Sequence, residues 1–362
     1  MPPVVNRCTP DTSGEGSAMR SSTASAVGPS SGEQIGCPGL TIRHLLVPLD
    51  GSSLAECTLP WAVALARVFA ARITLLRILE PPVAAASTSH AHDAVEWQIR
   101  RAEAHSQLAK LDGELKAGGL TSTVELLEGR PAEQIISFAR GHDADLVVLS
   151  SHGEGGLSGW VLSSTAQKVV ARADSSVLVV PAHTADARPA GDLRLRRILV
   201  PLDCSPRAEC VLTLAAALAR AHDAELILAH VVPEPEMPRR MPPSAEDIAI
   251  ASRLTERNRV EGDRYLRELQ SRLAAPALRV SVRSVVSSRR EPAIRALAEQ
   301  ADVDLIVACA HGRTADASER YGSVSARLLA ESSRPILVLQ DFGVAAREPT
   351  RAEEAARSRP GH

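Results

Sequence analysis

Aromatic residues are nearly missing from this chain: three Phe, three Trp and two Tyr make up 2% of 362 positions. A core built from such a sequence must rest on Ala, Val, Leu and Ile. Long apolar runs are missing too. No stretch approaches the roughly 18–20 residues that cross a bilayer, and no basic segment leads into an apolar one at the start. The expectation is a soluble, cytoplasmic protein with no membrane partner. Neither sign of charge is in excess: 41 Lys and Arg stand against 43 Asp and Glu, a formal net charge of -2. That balance argues against a broadly basic face, and so against nucleic acid as the main partner. The six cysteines (Cys8, Cys37, Cys57, Cys204, Cys210 and Cys309) form no CxxC pair and no zinc-site spacing. They read as thiols in a reducing compartment. Several enzyme signatures are absent as well. There is no GxxxxGKS or GxxxxGKT, no GxGxxG after the first strand, no GxSxG elbow and no kinase set.

What the sequence does have is an internal repeat. LLVPLDGSSLAECTLPWAVALARVFAA, from Leu45, lines up with ILVPLDCSPRAECVLTLAAALARAHDA, from Ile198. Asp50 matches Asp203, Glu56 matches Glu209, Cys57 matches Cys210 and Arg67 matches Arg220. Further on, ADLVVLSSHG (from Ala144) matches VDLIVACAHG (from Val303), and SVLVV (from Ser176) matches PILVL (from Pro335). A repeat this long is a duplicated domain rather than a solenoid unit. Residues 41–182 and 194–341 are the two domains. Residues 1–40, rich in Ser, Thr, Gly and Pro, read as a disordered arm. Residues 183–193 read as a linker and 342–362 as a flexible tail.

Each copy alternates near-continuous Val, Ile and Leu runs with helical patterns. In the first, 43–49, 73–79, 123–128, 145–150 and 176–180 read as strands buried on both faces. Residues 53–70, 92–118, 131–141 and 164–173 read as helices. Ser53 and Glu56 form a candidate capping box; Ser205 followed by Pro206 is the second copy's helix start. The order βαβαβαβαβ with right-handed crossovers gives an α/β fold: two tandem Rossmann-like domains, each a five-stranded parallel doubly wound sheet flanked by helices. Ligands of such sheets bind beyond the carboxyl ends of the strands, at the switch point. Asp50 and Asp203 fall there, as do the segments 150–153 and 309–312 and the starts of the last helices.

The combination of VPLD, ADLVV followed by HG, and a closing VLVV-type strand resembles the universal stress protein family, over both repeats. The resemblance implies an adenine nucleotide alpha hydrolase-like fold. In nucleotide-binding members a Gly-x-x-Gly-x9-Gly-Ser/Thr loop wraps the phosphates. The first copy has Ser150 and Ser163 in place of two loop glycines and keeps Gly153 and Ser164. The second has Cys309 in place of one and keeps Gly312, Gly322 and Ser323. The loop 154–162 carries one acid and no base, whereas 313–321 offers Arg313 and Arg320. The resemblance therefore implies ATP, together with Mg²⁺, held in the second repeat by Asp203, Val231, Gly312, Arg313, Gly322 and Ser323. The less complete set in the first repeat is Asp50, Ile78, Gly153, Ser163 and Ser164.

Plainer readings stand beside these. Ser164 and Ser323 also fit as helix caps. Asp50 and Asp203 either satisfy backbone donors in the strand-to-helix turn or keep free carboxylates for a ribose hydroxyl or a metal. His152 and His311 read as structural, and Cys57 and Cys210 as small core residues, while Cys309 borders the cleft. No general base is positioned by the sequence, so the function implied is a stress-response ATP-binding protein, at most a slow ATPase, whose occupancy is the signal. The alternatives are an interaction module with a decayed nucleotide site, or a cysteine-based redox sensor. Family members associate through their final strands. The expected arrangement is thus an intramolecular pseudo-dimer of the two domains, with a homodimer and a downstream protein as further partners.

Overall fold

Ten short runs rich in Val, Ile and Leu form one sheet. They are β1 (His44–Leu49), β2 (Arg72–Leu79), β3 (Ser122–Glu128), β4 (Leu146–Ser150), β5 (Ser176–Val180), β6 (Arg197–Leu202), β7 (Glu225–Val232), β8 (Arg279–Val286), β9 (Leu305–Cys309) and β10 (Ile336–Leu339). The helices are α1 (Ser53–Glu56), α2 (Leu59–Phe69), α3 (His90–Ala117), α4 (Pro131–Gly141), α5 (Ser164–Arg172), α6 (Leu212–His222), α7 (Ala245–Leu273), α8 (Arg290–Gln300) and α9 (Ser323–Glu331). A 3-10 turn, Ala208–Val211, precedes α6. The structure, a computed structural model, describes residues 41–81, 90–153, 162–182, 193–235, 244–313 and 319–341, with backbone alone at 90–94. The expected arm, the tail, nearly all of the linker and most of the two loops 154–162 and 313–321 lie outside the described residues.

The strand order is β3-β2-β1-β4-β5-β10-β9-β6-β7-β8. Each half is parallel throughout. The halves meet where β10 runs antiparallel to β5, with Ile336 opposite Val179, Leu337 opposite Leu178 and Val338 opposite Val177. The final strands of the two repeats therefore form the shared interface. Two apolar cores follow, one per sheet face, and each runs through both repeats. Leu59, Leu108, Leu212 and Leu266 place α2, α3, α6 and α7 on one face. Ile135, Val169, Ile294 and Leu328 place α4, α5, α8 and α9 on the other.

The first expected helix is split. Pro60 has no N–H to bond back along the chain, and it lies in the first turn of α2, so α1 ends after four residues. The capping side chain is Ser52, not Ser53: its Oγ accepts the Ala55 N–H at 3.1 Å. Glu56 does not close a capping box, because its carboxylate accepts from Gln107 at 2.7 Å. In the second repeat the Ser205 Oγ accepts the Ala208 N–H at 3.2 Å, but Pro206 lies in the turn before the 3-10 helix, whose N-cap is Arg207, rather than at its first helical position.

One aspartate in each repeat fixes the start of the central strand. Asp145 accepts the N–H groups of Arg43 and His44 at 2.8 and 2.9 Å. Asp304 accepts those of Arg196 and Arg197 at 2.6 and 2.9 Å. From this anchor β1 pairs with β4 over only two residue pairs, and β6 with β9 likewise. Beyond them the neighbours part, which is how the switch point opens into a crevice.

Across the join, Asp174 after α5 receives Arg320 of the second repeat and Arg140 of the first, the latter at 2.9 Å. Burial alone would raise the Asp174 carboxyl, but the two guanidinium groups hold it below its ordinary value. A carboxylate with a depressed native pKa adds stability above its unfolded pKa and loses it as pH falls through the native one. Asp174→Asn should therefore lower stability at neutral pH and flatten the decline below about pH 4. Denaturant titrations across that range check this; parallel pH profiles for the two proteins would contradict it. Leu337 is fully buried at the join. Leu337→Ala should cost about 2–5 kcal/mol of unfolding free energy, read by the same titrations at neutral pH.

Candidate functional site

Where β6 and β9 part, a cleft of about 840 Å³ opens among the ends of β6, β7 and β9, the side of α7 and the head of α9. Asp203, Val231, Gly312, Arg313, Gly322 and Ser323 all line it. The structure thus brings together the six residues singled out in the second repeat, but not all in the manner expected.

Asp203 is occupied by its own turn. One carboxylate oxygen accepts the N–H and hydroxyl of Ser205 at 3.1 and 2.5 Å. The other accepts the Arg313 N–H at 2.6 Å. The reading of a free carboxylate gives way to that of a loop anchor, joining the end of β6 to the loop after β9. Asp50 makes the same turn, accepting the Ser52 N–H and hydroxyl at 2.9 and 2.6 Å. This contact explains a glycine in each repeat. A Cβ built on Gly312 would collide with the Asp203 carboxylate, and one on Gly153 with that of Asp50. Each glycine leaves room for the aspartate of its own repeat.

Gly322 is different. It is the N-cap of α9 at φ -65°, a value open to any residue, and a Cβ there would find its nearest atom at 3.6 Å. No side chain among the described residues caps α9, so its first N–H groups face the cleft with the positive end of the helix dipole. Ser323 is the first helical residue, not the cap. In the first repeat Ser163 is the cap, its Oγ accepting the Ala166 N–H at 3.2 Å, and Ser164 lies exposed beside it. The head of α5 is thereby satisfied by the chain itself.

The two arginines of the second loop also part company. Arg313 reaches back to the Asp203 carbonyl at 3.0 Å and lines the cleft. Arg320 pairs with Asp174 across the join. His311 is held at both nitrogens, by Asp341 and by the Glu319 carbonyl at 2.7 Å, the structural reading. His152 accepts or donates to Ser151 at 3.0 Å.

The larger contrast lies in residues that sequence inspection passed over. Arg77 faces Leu49 in the first repeat as His230 faces Leu202 in the second. The Arg77 guanidinium lies against Gly51, where a Cβ would come within 2.6 Å, and it donates to Gln107 at 2.6 Å. Gln107 in turn holds Glu56, so β2, α3 and the turn after β1 are laced together. Ile78 is half-buried beside this lacing and packs on the face of α4 and α5. In the second repeat Cys204 replaces Gly51, with φ 62°. His230 turns to the Leu202 carbonyl at 2.8 Å, with Gly262 of α7 giving its ring room. The Glu209 carboxylate, matching Glu56, takes Tyr265 at 3.0 Å and Arg272 at 3.1 Å. Burial raises the Tyr265 phenol and pushes the Cys204 thiol up to about 11, so both stay protonated at neutral pH. The repeat alignment carried one signal for all this: a long arginine in one copy where the other has histidine.

Two α/β repeats share one sheet, with crevices beyond the carboxyl ends of their parallel strands. This is a tandem Rossmann-like protein with an open cleft in its second half. The model of the Universal stress protein family matches residues 41–181 and 194–340, and the chain belongs to that family. A universal stress protein of Mycolicibacterium smegmatis is 27% identical over 303 residues, covering 82% of this chain and 96% of that one. One from Thermus aquaticus is 34% identical over 139 residues, 38% of this chain and 98% of its own. A solved universal stress protein of Archaeoglobus fulgidus shares the fold at TM-score 0.56 and 18% identity, covering 83% of this chain and 98% of that one. No helix among the described residues is long and apolar enough to cross a membrane.

The two kept glycines make opposite predictions. Gly312→Ala should destabilise by about 1–3 kcal/mol, because the new methyl displaces the Asp203 carboxylate. Gly322→Ala should leave the unfolding midpoint nearly unchanged. Equal midpoints for the two variants in thermal denaturation would refute this account.

Proposed function

We propose that this stress-response protein binds ATP in its second repeat and that occupancy of that cleft, not turnover, is its output. The observation that carries the reading is the glycine-capped head of α9 opening into the cleft. Backbone N–H groups with no competing side-chain acceptor suit a phosphate, and the dipole favours its charge. Arg313 and Arg290, both lining the cleft, add positive charge for the outer phosphates. Val231, Ala229 and Pro233 supply an apolar wall for the base. Asp203 contributes by holding the Arg313 backbone in place.

Among the described residues no group of three or more His, Cys, Asp or Glu is arranged to hold a metal ion. Mg²⁺ would therefore arrive with the phosphates rather than sit in a protein cage. His311 offers no free nitrogen as a general base, which favours binding over hydrolysis.

For the first repeat the same comparison favours an interaction role. The self-capped head of α5 and the Arg77–Gln107–Glu56 lacing take up the groups that a nucleotide would use.

Calorimetric titration of ATP onto the full chain should give one equivalent per chain, and Gly322→Val should abolish it while the unfolding midpoint holds. A Cβ at this position makes only ordinary van der Waals contacts, the nearest at 3.6 Å, and the β-branched side chain blocks the approach of phosphate to the helix head. Unchanged affinity in Gly322→Val, or two equivalents in the parent chain, would overturn the proposal.

A further inference from the structure

Beneath the cleft, two thiols that lie far apart in sequence come together. Cys210, in the 3-10 turn, and Cys309, at the end of β9, place their sulfur atoms 3.4 Å apart. Both are present as thiols, with 2% and 6% of their surface exposed. The first repeat provides an internal contrast. Its matching residues are Cys57 and Ser150, whose Sγ and Oγ lie 3.7 Å apart. The same two backbone positions thus face each other in both halves, and only the second half puts sulfur at each.

The two sulfurs are not equally reachable. Both belong to the core on the face of α2, α3, α6 and α7, but Cys309 also lines the cleft, together with Ala208 of the turn, and Cys210 does not. A small oxidant entering the cleft meets Cys309 first.

We infer that Cys210 and Cys309 form a redox modification site, closed to a disulfide by a peroxide that enters through the cleft. The Cys309 sulfur attacks the O–O bond of the peroxide; a sulfur–oxygen bond forms, the O–O bond breaks and one water leaves. The Cys210 sulfur then attacks Cys309. The S–S bond forms, the S–O bond breaks, and the hydroxide leaves as a second water, taking up the Cys210 thiol proton. Two thiols are oxidised and one hydrogen peroxide is reduced to two waters. Bringing the sulfurs from 3.4 Å to the bonded distance of about 2.05 Å needs a shift of little over an ångström, shared between two side chains. The bond ties the turn after β6 to the tip of β9, two of the segments that frame the cleft. Cys57 and Ser150 allow no such bond, so the modification is confined to one half of the molecule.

Peptide mapping of the full-length protein tests this. The reduced chain is treated with hydrogen peroxide, blocked with an alkylating reagent, digested and weighed. The expected result is a Cys210–Cys309 linked peptide, about 2 Da lighter than the sum of its two thiol peptides. It should be reversed by dithiothreitol and absent from Cys309→Ser. That variant recreates the Cys–Ser pair of the first repeat, and circular dichroism confirms that it folds. The map of the parent protein stands alone if the variant does not. Recovery of both cysteines as alkylated thiols would overturn the inference. So would Cys309 linked to Cys204 instead, or Cys309 over-oxidised to a sulfinic acid with Cys210 alkylated. The bond is read directly, so its outcome is separate from that of the ATP titration.

Discussion

The antiparallel contact of β5 with β10 is the constraint on which the rest of the molecule depends. A five-stranded repeat alone would present its final strand as an apolar edge, and such edges template aggregation. Pairing Val177, Leu178 and Val179 with Val338, Leu337 and Ile336 converts two bare edges into the middle of one sheet. Both faces of the join are then covered, because each core continues from one repeat into the other. Duplication supplies a partner that is always present at high local concentration.

With stability shared in this way, the two crevices have diverged without loss of the frame. Asp145 and Asp304 hold the same strand ends, and Asp50 and Asp203 make the same turn. On that frame the first repeat has placed a long cation, an amide and a capping hydroxyl. The second has placed histidine, tyrosine and glycine at the matching points. The difference lies in the side chains at the crevice rather than in topology.

Much of the fold was legible in the sequence for a physical reason. Parallel strands covered on both faces need unbroken Val, Ile and Leu, and such runs with helical stretches between them leave little topological freedom. The break at Pro60 was equally available but was read through. The site was legible only as a location. Gly312 and Gly322 look alike in sequence, yet one accommodates an aspartate and the other caps a helix. That distinction lives in distances between segments about a hundred residues apart. The same holds for Cys210, which reads as a core residue and is one, while also touching Cys309.

The reversal of strand direction at the join has a consequence for how the protein can be read by others. All strands of one half point one way and all strands of the other half point back. The carboxyl ends of β1 and of β6 therefore lie at opposite rims of the sheet. A macromolecule docked over the mouth of the second repeat's cleft is turned away from the corresponding mouth in the first. The sheet thus has two rims with different chemistry, one beside the crevice of each repeat.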